Sequence, residues 1–317
     1  MKPISVVIPT FNALDLLKEY FPKVVESFES YEGGGEIIVV DDGGNDGSPL
    51  WLKNNYPRIK IIELKTNMGF AVACNEGAKE AKNPVLVFLN NDMSPEGDFF
   101  SPLVKLLESN EKIFSVTAKS ITASGGNESI SLAEMDDGIL LLRQPGLTSD
   151  TSYDIPVTLF HSAGGFSAYE RGKFLELGGF DDIYHPFYWE DVDLSFRAWK
   201  KGWLSVYEPS AVVRHRSHGT IGRIYEKEKY DLIQHAHLHL FHMVNLESDE
   251  LIAYTKRVNK LMSEINLYDK GVLRRGVFQA LKKADKILER RKKISKGLPL
   301  GKILELSSNI PIEEVTI

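Results

Sequence analysis

Along the N-terminal third of the chain, short apolar runs alternate with stretches of helical periodicity. Apolar residues recur at helical spacing over about 13–29 and 69–82. Strands that alternate with helices predict parallel βαβ units, and therefore an α/β fold with a doubly wound, mainly parallel sheet. The predicted strands are "ISVVIP" (4–9), "EIIVVDD" (36–42), "IKIIEL" (59–64) and "VLVFLNND" (85–92).

Polar side chains come directly after the first, second and fourth of these strands. The carboxyl ends of parallel strands meet at one edge of a sheet, where ligands bind. Each segment has a simpler explanation, because "DDGGNDGS" also suits a turn and "NND" also suits a helix cap. Their convergence on one edge nevertheless predicts a binding site. The residues concerned are Pro9, Thr10, Phe11, Asn12, Asp41, Asp42, Gly43, Gly44, Asn90, Asn91 and Asp92.

The pattern changes twice in the second half of the chain. Residues 120–160 are rich in Ser, Gly and Asp around an apolar "ILLL", which predicts an irregular insertion with a hairpin and with substrate contacts. From about residue 225 onward the apolar positions follow a helical period. We therefore predict one domain over 1–225 and a C-terminal helical region over 226–317.

Composition narrows the class of protein. The chain is 43% hydrophobic, enough for a large core, and has no run of roughly 20 apolar residues such as a membrane span requires. It starts without a signal-peptide pattern, so we expect a cytoplasmic protein. The single cysteine, Cys74, excludes an intrachain disulfide and a cysteine-based zinc cluster, and we expect it to be buried. We expect no nucleic-acid partner, and homo-oligomer formation is left open.

The net charge of −6 conceals a strongly basic segment. Residues 270–302 contain twelve Lys and Arg and only two acids, Asp285 and Glu289, which gives a local charge of about +10. A basic amphipathic helix can lie on an anionic membrane surface, or it can pack on its own domain and expose its charged face. Both interpretations stay open. The apolar positions at helical spacing are Leu273, Val277, Leu281, Ala284 and Leu288.

Two parts of the sequence offer carboxylates for chemistry. A hard divalent cation takes one or two protein carboxylates and bridges substrate phosphates, and Asp92 follows an apolar strand where it could do so. A hydroxyl that attacks a sugar must lose its proton to a nearby base, and "YWEDVDLSF" supplies Glu190 and Asp191 for that role. Both acids would also suit the start of a helix. Asp193 is more simply an ion-pair partner of Arg197, one turn later.

Three histidines of the C-terminal region, His235, His239 and His242, fall on one helical face. Their spacing of i, i+4 and i+7 would suit a zinc site. Because that face offers neither a carboxylate nor a cysteine, partly buried interface histidines are the simpler interpretation.

Six segments, in this order and at similar spacing, resemble the family-2 glycosyltransferases over most of residues 3–221. Several ordered motifs are far more specific than any one of them. The resemblance implies a Rossmann-like fold of the glycosyltransferase A type, with a mixed, mainly parallel sheet flanked by helices and, here, a C-terminal helical appendage. The segments are "VVIPTFN" (6–12), "IIVVDDGGNDGS" (37–48), "NMGFAVACNEGAKEA" (67–81), "VLVFLNNDMSP" (85–95), "GGFSAYERGKFLELGGFDDIYHPFYWEDVDLSFRAWKKGW" (164–203) and "YEPSAVVRHRSHGT" (207–220).

The resemblance implies a metal site and a nucleotide site. Asn90-Asn91-Asp92 stands at the family's Asp-x-Asp motif, so Asp92 is the main carboxylate ligand for Mg²⁺ or Mn²⁺, and Asn90 departs from the pattern. His215 matches a histidine that completes the metal shell in some members, with His218 as an alternative. Either Asp41 or Asp42 would contact the nucleobase of the donor. The implied nucleotide contacts are Pro9, Thr10, Asn12, Asp41, Asp42, Asn67, Gly69, Asn75 and Asn91.

The resemblance also implies the reaction. Asp191 stands where the family carries its catalytic base, and Glu190 would orient the acceptor or Asp191. Gly164, Gly165 and Trp189 would contact the acceptor. The implied activity, in polysaccharide biosynthesis, is inverting transfer of a sugar from a UDP- or dTDP-linked donor to a hydroxyl of a glycan or lipid-linked acceptor. The basic segment would then hold the enzyme at the inner face of the cell membrane.

Two other classes of protein remain as alternatives. A sugar nucleotidyltransferase uses a related sheet and metal, but "PTFNALDLL" lacks the Gly- and Arg/Lys-rich phosphate loop of such enzymes. A non-catalytic nucleotide-sugar- or glycan-binding protein of the same fold is suggested only by Asn90. Asp92, Asp191 and His215 together favour the enzyme.

Overall fold

A mixed β-sheet forms the centre of the fold in a computed structural model, which describes residues 1–147, 153–216, 225–263, 271–294 and 296–316. The strands are β1 (Ile4–Thr10), β2 (Gly35–Asp41), β3 (Lys60–Glu63), β4 (Val85–Leu89), β5 (Met93–Glu96), β6 (Ile113–Thr122), β7 (Leu132–Asp136), β8 (Ile139–Arg143), β9 (Val157–Thr158), β10 (Phe166–Glu170) and β11 (Leu204–His215). Within the described residues, nine of them form one sheet in the order β3-β2-β1-β4-β10-β6-β11-β5, with β9 paired to β11.

Most strands of this sheet point the same way. β1 is parallel to β2 and β4, β2 to β3, and β6 to β11, whereas β10 is antiparallel to both β4 and β6. The predicted mixed, mainly parallel sheet is therefore confirmed. Every residue of β4 is buried, as expected for a strand covered on both faces. The carboxyl ends of β1, β2, β4, β6 and β11 consequently meet at one edge.

Helices pack on the sheet and make up most of the C-terminal region. The first and third begin and end within two residues of their predicted bounds, and Cys74 on the third is buried as expected. The helices are α1 (Leu14–Glu29), α2 (Ser48–Asn55), α3 (Phe70–Glu80), α4 (Phe100–Ser109), α5 (Arg171–Glu176), α6 (Glu190–Lys200), α7 (Lys227–Asn245), α8 (Ser248–Ser263), α9 (Gly271–Leu281), α10 (Ala284–Arg291) and α11 (Leu300–Leu306).

The predicted hairpin in the insertion is present as β7 and β8. Its two-residue turn is Asp137-Gly138, and both residues have positive φ, which matches the tight turn that this dipeptide favours. The hairpin is attached to the C-terminal region because the backbone N–H of Leu140 donates to Nε2 of His242 at 2.7 Å.

The C-terminal helices share a core with the sheet. Leu240 and Phe241 of α7 and Ile303 of α11 belong to the same apolar cluster as Val87 of β4 and Val116 of β6. The helical region therefore packs directly on the sheet, and the domain boundary near residue 225 stays a prediction.

The basic segment differs from its predicted single helix. It forms α9 and α10, and it packs inward through Val277, Ala280 and Ile287. Leu281 and Leu288, which we expected on the packing stripe, are 49% and 59% exposed. The packing face of α9 is instead centred on Gly276, Val277 and Ala280, and α9 lies close to α7 there, since a Cβ added to Gly276 would lie 2.9 Å from the side chain of His235.

Candidate active site

The carboxyl edge of the sheet opens into a cavity of about 1200 Å³. It lies where the strand ends converge, and its walls include the start of α6, the β7–β8 hairpin and α7. The structure thus brings most of the predicted site residues together. Those that line the cavity are Pro9, Thr10, Asp42, Asn67, Gly69, Asn91, Asp92, Gly164, Gly165, Trp189, Glu190, Asp191 and His215.

Asp42 holds the turn that leads into α3. Its two carboxylate oxygens accept the backbone N–H groups of Met68 at 2.7 Å and Gly69 at 2.8 Å. Burial raises the pKa of Asp42, and the two hydrogen bonds oppose that rise. Gly69 has φ 87°, and an added Cβ would lie 2.5 Å from Nδ1 of His185, so only glycine fits between the two segments.

The predicted residues that do not line the cavity are Asn12, Asp41 and Asn75. Asn12 accepts a backbone N–H from Asn45 at 2.8 Å and so braces the next turn. The amide of Asn75 bonds Phe180 instead: it donates to the Phe180 carbonyl at 2.7 Å and accepts the Phe180 N–H at 3.0 Å. Asp41 accepts one N–H through Oδ2, while its Oδ1 is buried without a hydrogen-bond partner in the described part of the chain.

Asp92 and His215 come together from β4 and β11. Oδ2 of Asp92 lies 3.4 Å from Nε2 of His215, and Oε1 of Glu128 lies 2.5 Å from the other ring nitrogen. Burial lowers the pKa of His215, but the hydrogen bonds with both carboxylates outweigh it and raise that pKa to about 10. Glu128, in the insertion, was missed at the sequence level because nothing near it in the chain marks it.

This pair of side chains fits a divalent cation that also binds substrate. In the described ranges no group of three or more His, Cys, Asp or Glu is arranged to hold a metal. Oδ2 of Asp92 and Nε2 of His215 nevertheless lie 3.4 Å apart, and a metal held between them would displace the proton from the ring, because a ligating imidazole is unprotonated. Mg²⁺ commonly takes one or two protein carboxylates together with substrate phosphates and water. The alternative ligand His218 lies outside the described residues.

Asn90 packs closely against Gly165. The backbone N–H of Asn90 donates to the carbonyl of Gly165 at 2.8 Å, and an added Cβ on the glycine would collide with the asparagine side chain. Asn90 therefore packs against the loop before β10. The neighbouring Asn91 donates to the hydroxyl of Thr10 at 3.0 Å, which links the ends of β1 and β4.

Asp191 is fixed at the start of α6. One oxygen accepts the N–H of Gly164 at 3.1 Å, and the other accepts the N–H of Val192 at 2.8 Å. The two residues before the acidic pair, Tyr188 and Trp189, have φ values of 67° and 78°. Strained backbone of this kind is maintained only where surrounding contacts enforce it, and it is frequent at active sites. Asp191 is thus held in one orientation beside the cavity.

The other two acids of this stretch have different environments. Glu190 is only 5% exposed, and its Oε2 has no hydrogen-bond partner in the described chain. Burial, followed by the charge of Asp191, raises the pKa of Glu190 well above its usual range. Asp193 forms the predicted ion pair with Arg197 at 2.7 Å and accepts hydrogen bonds from Tyr184 and Asn245.

The far wall of the cavity was only partly anticipated. We expected substrate contacts from the insertion, and its hairpin does face the cavity. The contributions of α7 and of His161 to this wall were not predicted, because both depend on tertiary packing. The additional lining residues of this wall are Leu141, Leu142, Gln144, His161, Tyr188, Tyr230, Gln234 and Leu238.

A family model described as glycosyl transferase family 2 matches residues 5–178. The match covers more than half of the chain and includes the strand ends that carry Thr10, Asp42 and Asp92. This chain belongs to glycosyl transferase family 2. The prediction made from the six segments is therefore confirmed.

Named relatives of this family-2 glycosyltransferase match it at modest identity. The N-acetylglucosaminyl-diphospho-decaprenol L-rhamnosyltransferase of Mycobacterium tuberculosis is 27% identical over 217 residues, which are 58% of this chain and 67% of that protein. The N-acetylgalactosaminyltransferase 4 of Drosophila melanogaster is 26% identical over 67% of this chain, and the match covers only 35% of that longer protein.

Solved structures share the glycosyltransferase A-type fold. The crystal structure of GalNAc-T7 with UDP, GalNAc and Mn²⁺ aligns with a TM-score of 0.66 at 19% identity, over 96% of this chain and 56% of that one. The mannosyltransferase PcManGT from Pyrobaculum calidifontis, in complex with GDP-Man and Mn²⁺, aligns with a TM-score of 0.57 at 15% identity, over 92% and 84%. The predicted fold class is thereby confirmed.

His239 and His242 of α7 in this glycosyltransferase are buried at an interface, as the simpler interpretation predicts. Nδ1 of His239 lies 2.8 Å from the hydroxyl of Tyr254, and His242 holds the hairpin. Burial lowers the pKa of His239 to about 3 and that of His242 to about 4. Both rings are therefore neutral at pH 7.

Proposed function

We propose that this enzyme is an inverting, metal-assisted glycosyltransferase that moves a sugar from a nucleotide-diphosphate donor to a hydroxyl of a glycan or lipid-linked acceptor. One observation carries the proposal. A single cavity joins the Asp92–His215 pair, suited to a diphosphate-bound cation, with a firmly oriented carboxylate, Asp191. Sugar transfer requires both stabilisation of the departing diphosphate and deprotonation of the acceptor hydroxyl.

The nucleotide would lie against the ends of β1 and β2. Asp42 lines the cavity, and each of its carboxylate oxygens, which accepts one backbone N–H, keeps a second lone pair. Asp41 does not line the cavity, so we assign the base contact to Asp42. The N–H of a uracil or thymine ring would suit that carboxylate, which favours a UDP- or dTDP-linked donor.

In the chemical step, Asp191 would take the proton of the acceptor hydroxyl. The hydroxyl oxygen forms a bond to the anomeric carbon from the side opposite the diphosphate, the bond from that carbon to the diphosphate oxygen breaks, and the configuration inverts. Mg²⁺ or Mn²⁺ held by Asp92 and His215 would neutralise charge on the departing diphosphate. Hydrogen bonds from Gly164 and Val192 keep Asp191 in place throughout.

A lipid-linked acceptor would bring the enzyme to a membrane surface, and α9 and α10 offer a surface for that contact. Across the described residues no helix has the length and apolar content to cross a membrane. The basic apolar patch, as we call it, combines three exposed apolar side chains with exposed lysines. It consists of Phe278, Leu281, Lys282, Lys286, Leu288 and Lys292.

A thermal-shift panel tests the proposed function. Nucleoside diphosphates and sugar nucleotides are added with and without Mg²⁺ or Mn²⁺, to the wild type and to Asp92→Ala. We expect one nucleotide to stabilise the wild type only with metal, and the variant to lose that stabilisation. The absence of any nucleotide-dependent shift in the wild type would contradict the proposal and favour a non-catalytic protein.

A further inference from the structure

Two side chains of the cavity wall carry buried polar atoms that the protein leaves without a hydrogen bond. Among the described lining residues these are Nδ1 of His161 and Oε2 of Glu190. Nearly all buried polar atoms in proteins are hydrogen-bonded, and leaving one unpaired costs about 1–3 kcal/mol. Two such atoms in one cavity indicate that a ligand supplies the missing partners.

Both atoms belong to the surroundings of the proposed base. Glu190 precedes Asp191 at the start of α6, and His161 is three residues before Gly164, whose N–H donates to Asp191. The charge of Asp191 acts on both groups. Burial lowers the pKa of His161, with Asp191 opposing the change, and burial raises the pKa of Glu190. Both shifts favour the uncharged form of the side chain, which suits a neutral hydroxyl.

The backbone around His161 is pinned on two sides. The hydroxyl of Ser131 donates to the carbonyl of His161 at 2.9 Å, and the N–H of His161 lies 3.3 Å from the same hydroxyl. The next residue, Ser162, donates its N–H to the hydroxyl of Ser195 on α6 at 3.0 Å. The imidazole is thus carried on a fixed segment, and groups that must orient a substrate require such support.

We propose that His161 is an acceptor-positioning residue whose Nδ1 forms a hydrogen bond with a pyranose hydroxyl next to the one that Asp191 deprotonates. Glu190 bonds a second hydroxyl of the same sugar. This inference rests on the proposed function and deepens it, because it identifies the acceptor group at the base as a pyranose with neighbouring free hydroxyls. A pyranose offers such pairs, whereas a simple alcohol or a protein hydroxyl does not.

The three variants His161→Asn, His161→Gln and His161→Leu test this role. Asparagine places an amide near the position of Nδ1, glutamine places it near Nε2, and leucine removes the polar group. The probes are the donor identified by thermal shift and the p-nitrophenyl glycosides of glucose, galactose, N-acetylglucosamine and rhamnose. The readouts are transfer, donor hydrolysis, acceptor KM and kcat, and the nucleotide-induced thermal shift.

We expect His161→Leu and His161→Gln to lower the ratio of glycoside transfer to donor hydrolysis by roughly 10- to 100-fold, mainly through acceptor KM. His161→Asn should stay within a few-fold of the wild type, and all three should keep the nucleotide-induced thermal shift.

Several results would overturn the inference. They are an unchanged ratio in His161→Leu, an equal loss in the asparagine and glutamine variants, and a wild type that hydrolyses the donor without glycosylating any glycoside. If the leucine variant does not fold, the asparagine and glutamine pair still decides. Failure of the proposed function is distinguishable, because the wild type would then show no nucleotide-dependent shift at all.

Discussion

The two sides of the cavity satisfy their polar groups in different ways. On the proposed donor side, Asp42 gives both oxygens to backbone N–H groups and Asn91 bonds Thr10. On the proposed acceptor side, Asp191 is also held by two backbone N–H groups, but Glu190 and His161 beside it keep buried atoms without partners in the described chain. The fold itself therefore satisfies the donor side, apart from Oδ1 of Asp41, which has no partner among the described residues, whereas the acceptor side would be completed by substrate.

This difference separates stability from activity. A polar group that is bonded within the protein stabilises the fold and shapes the pocket together, so its loss lowers the free energy of unfolding. A polar group that is kept unbonded for a substrate destabilises the free protein, so its removal should harm turnover far more than folding. Substitutions of the bonded groups and of the unbonded groups should fall into these two classes.

The largest effect is expected on the acceptor side, from Asp191→Asn. Asparagine can still accept one of the two backbone N–H groups, from Gly164 or Val192, so some stability is lost, but it cannot take a proton from a hydroxyl. We expect kcat for transfer to fall by about 10²- to 10⁴-fold, the usual contribution of a general base, with nucleotide binding retained. Steady-state transfer kinetics and the nucleotide-induced thermal shift measure the two quantities.

Asp193→Asn is the matched control on the same helix. Asp193 is buried and bonded to Arg197, Tyr184 and Asn245, so this change should lower the melting temperature and spare the chemical step. Equal kinetic losses in the two variants would mean that Asp191 only supports the helix.

The next effect concerns the metal pair, which adjoins both sides. Glu128 bonds the ring nitrogen of His215 that faces away from Asp92, and its carboxylate also accepts the hydroxyl of Ser120 at 2.6 Å. Such partners orient a ligating imidazole, and changing them typically weakens metal binding by 10- to 100-fold. We expect this loss for Glu128→Ala, measured as the Kd for Mn²⁺ by electron paramagnetic resonance of the free ion.

Glu134→Ala, on the exposed strand of the nearby hairpin, serves as the control. Its carboxylate pairs only with Arg143 among the described residues, at the surface. An unchanged Mn²⁺ affinity in Glu128→Ala would show that His215 needs no partner to be oriented.

A smaller effect is expected on the free energy of unfolding, in which a donor-side variant can be compared with an acceptor-side variant. Asp42→Asn exchanges one accepting oxygen for an N–H₂ group that faces a backbone N–H, so the free energy of unfolding should fall by about 1–3 kcal/mol. Glu190→Gln should lower it less, because Oε2 of Glu190 has no hydrogen bond within the described chain to lose. Urea denaturation measures both. A larger loss in Glu190→Gln than in Asp42→Asn would reverse the comparison.

The sequence could predict the features that depend on local pattern, but not those that depend on tertiary packing. The strands and the polar turns after them follow from local periodicity, so β1 to β4 and their ends lie where expected. Glu128 and His215 are separated by 87 residues, and no local pattern marks such a pair. Asn75 resembles a site residue in its segment, but packing turns it toward Phe180. The exposed face of α9 and α10 depends on how closely α9 approaches α7, which the charge pattern does not encode.

The smallest single effects are expected at the basic apolar patch. Phe278, Leu281 and Leu288 are 57%, 49% and 59% exposed, and the neighbouring lysines are exposed as well. Each lysine near an anionic bilayer contributes about 1 kcal/mol, so Lys282→Gln or Lys286→Gln should weaken binding to phosphatidylglycerol vesicles by about 5-fold. Cosedimentation at low salt measures this. Phosphatidylcholine vesicles should bind poorly, because they lack the surface charge.

The controls for this surface are Lys18→Gln and Lys105→Gln, which remove exposed charges from α1 and α4. They carry the same change in net charge, so a specific surface predicts that they leave vesicle binding intact. Replacing Leu281 and Leu288 with Gln should also weaken binding, since burial of apolar side chains in the interface adds to the electrostatic attraction. If all four lysine variants bind equally well, the patch does not contact the membrane, and the acceptor must reach the cavity without help from the C-terminal helices.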